Sequence, residues 1–429
     1  MSEGEGVIRV WLLSRLYHPN FSGAAIQGHR VLSRLAIREF QTTVLAAADH
    51  LARDMKGRAV TLDGLEVRYL PVVRRRQHSQ AGVRPLRATA RHLNGLASNL
   101  SYSLQSAWIL WRQGHRGDIV QLYSCNEFSF LVTTLARARG MHPVMRMTLI
   151  GFDDPASIAQ HAGKWQRALK LGAFRQAEVM VGCSTAQTDS ARSAGFDGPS
   201  VVRIPGGVDL AQYHPVDVAE RKRLCKMLGL NDQKRYIVFV GSAIHRKGID
   251  VLIQAFVSVA QQLDDVDLLI VGPCDFGDQR RHAPTHQDLI TQLRQELTEM
   301  GSALRVHWTG RVDNVHQYLQ VSSIFCLPTR QEGFGHVTAE AMAVGLPVVV
   351  ARLEGVTTDL VQTEEMGVLI AGHQPADYAQ ALLCLLRDPA GATRMGDAAR
   401  GRAVAEYDLE VAAQRYARLY HRLAGVTDS

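Results

Sequence analysis

No stretch of this chain reaches the roughly 20 consecutive apolar residues that a membrane-crossing helix needs. Cysteine is sparse and scattered. Cys125, Cys183, Cys225, Cys274, Cys326 and Cys384 form no C-x-x-C pair, which argues against a disulfide framework or a zinc site and for a reducing compartment. The opening residues, Met1 to Gly6, carry Glu3 and Glu5 where a secretory signal would be basic, and Val7 to Leu13 is too short for a signal core. A soluble, cytoplasmic chain is the expectation. Low-complexity tracts and short-period repeats are missing too, and no strand candidate is followed by G-x-G-x-x-G, so a dinucleotide-dependent dehydrogenase is poorly supported.

One absence is local. From Val67 to Gly117 there is no Asp or Glu, while Arg68, Arg74, Arg75, Arg76, Arg84, Arg87, Arg91, Arg112 and Arg116 all lie there. The net charge of the whole chain is +7, so this segment concentrates a general basic bias. An anionic partner surface is expected, either acidic lipid on the inner face of a membrane, met through Arg74, Arg75, Arg76, Arg84 and Arg87, or a phosphorylated ligand. The competing reading is a solvated basic face whose carboxylate partners come from elsewhere in the fold. Nucleic acid is not among the expected partners.

What is present is enough apolar residue for a large core: 46% of the 429 residues are hydrophobic and 21% charged. Single cores stop growing at roughly 250 to 300 residues, so two domains are expected. The first half alternates strand and helix patterns, as in a doubly wound α/β sheet. Strand candidates are Val7 to Leu13, Thr43 to Ala47, Leu65 to Leu70, Asp118 to Leu122, Pro143 to Leu149 and Glu178 to Val181. A helix from Gly23 to about Arg38 has Ile26, Val31, Leu35 and Ala36 for an inner face, and a longer one after Pro85 carries Leu93, Leu96, Leu100, Leu104 and Ala107 at helical spacing.

Pro199 to Pro215 is rich in Gly and Pro and interrupts the pattern, which puts a domain boundary near Tyr213. A second strand set follows: Tyr236 to Val240, Asp267 to Val271, Leu304 to Trp308, Ile324 to Leu327 and Pro347 to Val350. Several are continuous apolar runs, as parallel strands covered on both faces require. Such sheets bind ligands at the C-terminal ends of their strands. A last helix, opened by Asp408, spaces Ala412, Tyr416, Leu419 and Leu423 into one apolar stripe that must pack on something.

The most informative stretch runs from Leu327 to Ala343, LPTRQEGFGHVTAEAMA. A buried strand enters a turn with Gly333 and Gly335, and a helix begins near His336; unpaired amides and the helix dipole at that start suit a phosphate. Glu332 and Glu340 form an E-x7-E pair, and carboxylates accept hydrogen bonds from adjacent hydroxyls, as on a sugar or a ribose. A lone Glu340 would more often be a helix surface residue. The full string, followed by Gly345-Leu346-Pro347, favours function. A second strand, turn and helix, Val240-Gly241-Ser242-Ala243-Ile244-His245-Arg246-Lys247-Gly248, sets Arg246 and Lys247 just before a helix, where they reach a diphosphate unless they are merely exposed turn cations.

These motifs resemble those of the retaining GT-B glycosyltransferases of family 4, the glycosyl transferases group 1, whose E-x7-E block is the most specific part. Ile204-Pro205-Gly206-Gly207-Val208-Asp209, Gly272-Pro273 and Gly310-Arg311-Val312 match as well. The resemblance implies two facing Rossmann-like domains: residues 1–212 binding the acceptor, residues 213–406 binding a nucleotide sugar, and residues 407–429 as a helix returning to the N-terminal domain. It implies that Lys247 contacts the donor diphosphate with Arg246, that Glu340 holds the ribose, and that Glu332 with Gly333, the amides near Phe334 and Gly335, and His336 holds the transferred sugar and phosphate. Gly272 lies on the donor side, and Gly23, after the first strand, falls where relatives have a glycine-rich loop near the donor phosphate and acceptor, which makes it a further donor-binding residue.

Three positions depart from the pattern. Ser242 stands where an Arg is usual, Gly206 where Asn is common, and Ile150 in a segment where many relatives place a His near the sugar. Asp153 or Asp154 is a polar substitute on the sugar or acceptor side, beside the alternative that they cap a helix next to Pro155. The implied activity is retaining transfer from a nucleotide diphosphate sugar, with a UDP-sugar ahead of a GDP- or ADP-sugar, to a glycan, lipid-linked or small-molecule acceptor, with no metal and no further cofactor. A sugar-nucleotide epimerase on the same fold and a non-catalytic nucleotide-sugar-binding subunit remain as alternatives.

Overall fold

In the computed structural model, residues 7–17, 23–36, 40–48, 57–73, 84–274 and 285–426 are described. The chain divides into two compact units, one reaching Gly207 and taking back Leu409 onward, the other running from Val208 to Asp408. The division falls at Val208, ahead of the Tyr213 expected from the Gly/Pro-rich stretch.

In the first unit the elements are β1 (Ile8–Leu13), α1 (Gly23–Ala36), β2 (Phe40–Ala47), β3 (Ala59–Leu62), β4 (Leu65–Leu70), α2 (Arg84–Gln113), β5 (Ile119–Tyr123), α3 (Ser129–Ala138), β6 (His142–Arg146), α4 (Pro155–His161), α5 (Lys164–Gln176), β7 (Val179–Gly182), α6 (Thr185–Ser193) and β8 (Val201–Arg203). The strands form one sheet in the order β3-β4-β2-β1-β5-β6-β7-β8, parallel except for β3. Along β1, Ile8, Val10 and Leu12 enter the core on one face, and Trp11 and Leu13 the core on the other, as strand alternation dictates.

The second unit holds α7 (Val218–Met227), β9 (Arg235–Val240), α8 (Ile249–Ala260), β10 (Val266–Val271), α9 (Thr285–Glu299), β11 (Val306–Gly310), α10 (Val315–Gln320), β12 (Ile324–Leu327), α11 (His336–Val344), β13 (Val348–Ala351), α12 (Thr357–Leu360), β14 (Val368–Ile370), α13 (Pro375–Arg387) and α14 (Pro389–Glu406). Its all-parallel sheet is ordered β11-β10-β9-β12-β13-β14. The apolar runs of β9, β10, β12 and β13 are buried almost throughout, which is why they read as continuous rather than alternating.

The last helix, α15 (Leu409–Ala424), returns to the first unit. Leu409, Ala412, Ala413, Tyr416, Leu419 and Tyr420 join one core with Val10, Leu12, Val31 and Leu35, so the stripe expected there is filled by α1 and the sheet. Gly207 is required where the chain passes this helix: a Cβ on it would stand 2.7 Å from the Leu409 Cα.

Several local readings differ. β3 and β8 were not expected, nor was β14; all are short, and β3 alternates exposed and half-buried residues at the sheet edge. The strand expected to Leu149 stops at Arg146, because the Thr148 and Leu149 amides turn to the Asp153 carboxylate (2.9–3.2 Å). The strand expected from Leu304 starts at Val306; a 3-10 turn precedes it and leaves Leu304 on the surface. The apolar spacing of the helix after Pro85 is present in α2, but it lies to the outer side: Leu93 and Leu104 are exposed and Leu96, Leu100 and Ala107 half-buried, with Ala107 reaching the core, while Ser98, Tyr102, Ser103, Ser106, Ile109 and Leu110 are buried. On α1, Val31 and Leu35 are buried as expected, whereas Ile26 and Ala36 are half-buried. Arg74, Arg75 and Arg76 lie outside the described residues, and so do the side chains of Arg84 and Arg87.

Tyr420 is fully buried and donates its hydroxyl to Gln121 Oε1 on β5. Truncating a buried aromatic costs about 3–5 kcal/mol. Tyr420→Ala is therefore expected to lower the unfolding free energy of the first unit by about that amount in urea titration; a change below about 1 kcal/mol would show that α15 does not hold it.

Candidate active site

In each sheet the strand order reverses at one point, between β1 and β5 in the first unit and between β9 and β12 in the second. Connections diverge there to opposite faces and leave room at the strands' C-terminal ends, where open α/β sheets take their ligands. Both stretches that stand out in the sequence sit at the second of these points. The loop after β9 carries Gly241 to Gly248, and the loop after β12 carries Pro328 to Gly335.

The two loops are bound to one another by backbone and by charge. Gly248 has φ +73°, and a Cβ there would lie 1.9 Å from the Pro328 carbonyl oxygen, so only glycine fits. The Arg330 amide donates to the Arg246 carbonyl (2.8 Å), and the Thr329 hydroxyl donates to it as well (3.2 Å). Arg246 sends a guanidinium N–H to the Gln331 carbonyl (2.7 Å). Arg330 clamps Asp250, in the first turn of α8, by a two-pronged bond (2.9 and 2.7 Å) and donates to the His245 carbonyl (2.6 Å). Burial alone would raise the Asp250 carboxyl, but the Arg330 hydrogen bonds and charge outweigh it and hold its pKa below the ordinary aspartate value.

Lys247 Nζ pairs with Glu332 Oε1, and both side chains are largely enclosed, 14% and 11% exposed. Beside them α11 starts at His336 with no side-chain cap and with Gly335 in the left-handed region, φ +92°. Phe334 is buried and packs edge-on against His336 (4.9 Å) and Tyr407 (5.4 Å), fixing the turn that leads into the helix. Glu340, in the body of α11, is only 6% exposed. Gly272, at the end of β10, approaches so closely that a Cβ would stand 2.2 Å from the Gly241 carbonyl oxygen.

Of the residues singled out from the sequence, Arg246, Lys247, Gly272, Glu332, Gly333, Phe334, Gly335, His336 and Glu340 thus belong to one end of the second unit's sheet or to the helix that leaves it. Gly23 opens α1 in the first unit, with open space around its Cα. Asp154 caps α4, accepting from Ser157 N (3.0 Å) and Gly151 N (2.6 Å). Asp153 is buried and accepts from the Thr148 hydroxyl (2.6 Å); burial raises its pKa, against the pull of those bonds. Both carboxylates therefore organise the turn after β6. Among the described residues, no three His, Cys, Asp or Glu side chains cluster so as to hold a metal ion.

Arg330 and Asp250 were not anticipated. An acidic residue opening a helix is a visible signal, but a partner 80 positions away is not. The first unit adds a polar network at its own reversal point: Arg15 donates to Asn99 (2.9 Å) and Ser98 (2.7 Å), Asn99 to Glu127 (3.1 Å), and Lys170 pairs with Glu127 (3.5 Å). A cavity of about 90 Å³ lies beside it, lined by Arg15, Tyr102, Tyr123, Ser124 and Asn126. Ser124 holds φ +71°, a conformation that side chains other than glycine adopt rarely and that gathers at ligand sites.

Residues 220–402 match the family model of glycosyl transferases group 1. The match spans most of the second unit. Among curated proteins the chain is 29% identical over 266 residues to D-inositol 3-phosphate glycosyltransferase 1 of Catenulispora acidiphila, covering 61% of this chain and 62% of that one. It is 28% identical over 260 residues to a GDP-mannose-dependent monoacylated alpha-(1-6)-phosphatidylinositol monomannoside mannosyltransferase of Corynebacterium glutamicum, 59% and 64% of the two chains. The matches thus span less than two thirds of those relatives. Of solved structures, Anabaena HepE in complex with UDP and glucose superposes with a TM-score of 0.73 at 18% identity, covering 97% of this chain and 100% of HepE, a likeness of the GT-B fold.

The backbone contact at Gly248 makes a direct check. Gly248→Ala is expected to lower the thermal midpoint of the second unit and to separate the two loops, because the added carbon meets backbone rather than a flexible side chain and because φ is positive; the strain alone is on the order of 1–3 kcal/mol. An alanine variant with an unchanged midpoint would mean that the close backbone approach is not what holds the loops, and that their hydrogen bonds and ion pairs suffice.

Proposed function

We propose that the chain is a retaining, metal-independent glycosyltransferase that takes a sugar from a nucleotide diphosphate and passes it to a glycan, lipid-linked or small-molecule acceptor. The observation that carries this is the meeting, at the second unit's strand-reversal point, of two cations, Arg246 and Lys247, a carboxylate, Glu332, and an uncapped helix start. Cations and the positive end of a helix dipole suit the diphosphate, and carboxylates suit hydroxyls. On this reading Glu332, with the amides of Gly333, Phe334 and Gly335, holds the sugar, Glu340 the ribose, and Gly272 gives the nucleotide close access to the backbone.

In the reaction, the bond between the anomeric carbon and the phosphate oxygen breaks as an oxocarbenium-like sugar forms. The acceptor oxygen attacks from the same face, and its proton goes to the departing phosphate. Negative charge on the leaving group is the main electrostatic demand, and Lys247, Arg246 and the start of α11 at His336 answer it. A protein base is then dispensable, so Ile150 in place of a His is compatible with turnover. Arg246 also supplies the positive charge missing at Ser242.

A UDP-sugar is the favoured donor, in line with the UDP bound to HepE. Relatives named for inositol 3-phosphate and for a phosphatidylinositol monomannoside support a phosphorylated or lipid-linked acceptor. Acceptor binding falls to the first unit, at the network of Arg15, Asn99 and Glu127.

Two substitutions separate the roles. Lys247→Ala is expected to cut turnover by roughly 100-fold to 1,000-fold, the scale for removing one donor to developing charge. Glu340→Ala is expected instead to weaken binding of the nucleoside diphosphate by about 10-fold to 100-fold, for hydrogen bonds to a charged group of about 1.5–3 kcal/mol. Calorimetry with UDP, GDP and ADP reads the second, and product formation from the matching sugars reads the first. A Lys247→Ala enzyme within a few-fold of the parent, or an unchanged dissociation constant for Glu340→Ala, would overturn the assignment.

Excess EDTA is expected to leave turnover intact, since these groups take the place a divalent ion has in other transferases. Activity lost to the chelator and restored by manganese or magnesium would reject metal independence.

A further inference from the structure

Helix α2 is turned inside out. Its buried side is made of Ser98, Tyr102, Ser103, Ser106, Ile109 and Leu110, with Ser98 bonded to the Val73 carbonyl and Tyr102 to the Leu45 carbonyl (2.7 Å each). The short side chains of Ser98, Ser103 and Ser106 let the helix lie close against the unit. Its outer side carries the large apolar groups: Leu93, Leu104, Trp108 and Trp111 are 60%, 52%, 54% and 56% exposed.

At 3.6 residues per turn, the outer arc of about 120° opposite the buried side holds six apolar residues between Leu93 and Gln113, with Ser101 at its edge. The six are Leu93, Ala97, Leu100, Leu104, Trp108 and Trp111, all exposed except the half-buried Leu100, while Ala107 packs against the core. The stripe is about 27 Å long at 1.5 Å per residue. A run of this size on the outer face of a folded unit marks a contact surface rather than scattered exposure.

Charge decides what the surface meets. The acid-free segment from Val67 to Gly117 contains the whole stripe and nine arginines. Arg112 is exposed and sets its guanidinium over the Trp108 ring (5.2 Å), joining a cation to the apolar edge, and Arg116 is exposed just beyond the helix. Glu66 shares a groove with Trp108 and is neutralised by Arg68 (2.8 Å). Two copies of this face would oppose like charges, whereas a negatively charged bilayer meets both the cations and the apolar side chains. A helix with Leu and Trp on one side and basic flanks is the form that lies in a lipid interface. The inner side of α2 is bound into the unit, so the helix rests along the surface.

We infer that the outer face of α2, from Leu93 to Trp111, seats the first unit in the interface of an anionic lipid bilayer. The attachment is reversible and independent of the transfer reaction. It brings the strand-reversal point of that unit, to which α2 contributes Asn99 and Tyr102, next to the membrane, where a lipid-borne substrate would be presented.

The test is co-sedimentation of the full chain with vesicles of phosphatidylcholine alone and of phosphatidylcholine with phosphatidylglycerol. Binding is expected to the mixed vesicles at low salt, with weakening as salt rises. Vesicles carrying brominated acyl chains are expected to quench tryptophan fluorescence, and most of the quenching is expected to vanish in Trp108→Phe with Trp111→Phe. This readout leaves the fold untouched. Leu104→Ser with Trp108→Ser is expected to reduce partitioning about tenfold or more, from the apolar area withdrawn. Absence of binding to either vesicle, binding without quenching, or a wild-type dimer that the serine variant turns into a monomer would each overturn the inference, the last by assigning the face to a second copy.

Discussion

The second unit is organised around a contact between two backbones. Gly248 passes so near the Pro328 carbonyl that no side chain fits between them. Through this contact the loop after β9 and the loop after β12 become one surface, which neither strand order nor hydrophobic burial would secure. The amide of Arg330 and its guanidinium close the same gap from either side, through Arg246 and Asp250. Once the loops are held, the side chains they carry have few places to go, and Lys247 meets Glu332. The close approach of Gly272 to Gly241 extends the tight packing to the next strand. Glycines thus act here as geometric necessities at the end of a sheet, where the backbone must come within reach of a ligand.

Much of this end of the molecule is legible in the residues themselves. β12 occupies Ile324 to Leu327 as its apolar run and the following glycines demand, and α11 begins at His336. The strand, turn and helix order is local, and local signals carry it. What is not legible is distance across the chain: nothing around Arg330 points to Asp250, and nothing around Pro328 says that Gly248 is its neighbour. The returning helix α15 was readable for a different reason. A stripe of Ala412, Tyr416 and Leu419 with no partner nearby in sequence has to find one, and α1 supplies it.

Helix α2 marks the limit of periodicity as a guide. Spacing of 3.6 residues says that one side of a helix is apolar; it does not say that this side is the inner one. In α2 Ser98, Ser103 and Ser106 are packed against the unit, because their short side chains permit close approach, and the Ser98 hydroxyl finds a carbonyl partner. The turn after β6 teaches a related lesson. The apolar residues from Pro143 to Leu149 read as one strand, yet a single carboxylate, Asp153, draws off the amides of Thr148 and Leu149 and ends the ladder.

The Lys247–Glu332 pair joins structure to chemistry. Two enclosed opposite charges are costly to separate, because removing either partner leaves the other without compensation. An anion that binds Lys247 must therefore compete with Glu332. A diphosphate does so with more charge than one carboxylate and with the help of Arg246 and the α11 amides, while Glu332 is released to accept hydrogen bonds from hydroxyls beside it. On the proposed reading the donor satisfies both halves of the pair at once: its phosphates take the cation and its sugar takes the carboxylate. A nucleotide without a sugar would satisfy only the first half and leave Glu332 unpaired. The pair then favours the intact donor over the bare nucleoside diphosphate. Release after transfer gains from the same imbalance, since Lys247 and Glu332 can re-form their bond once the sugar has left.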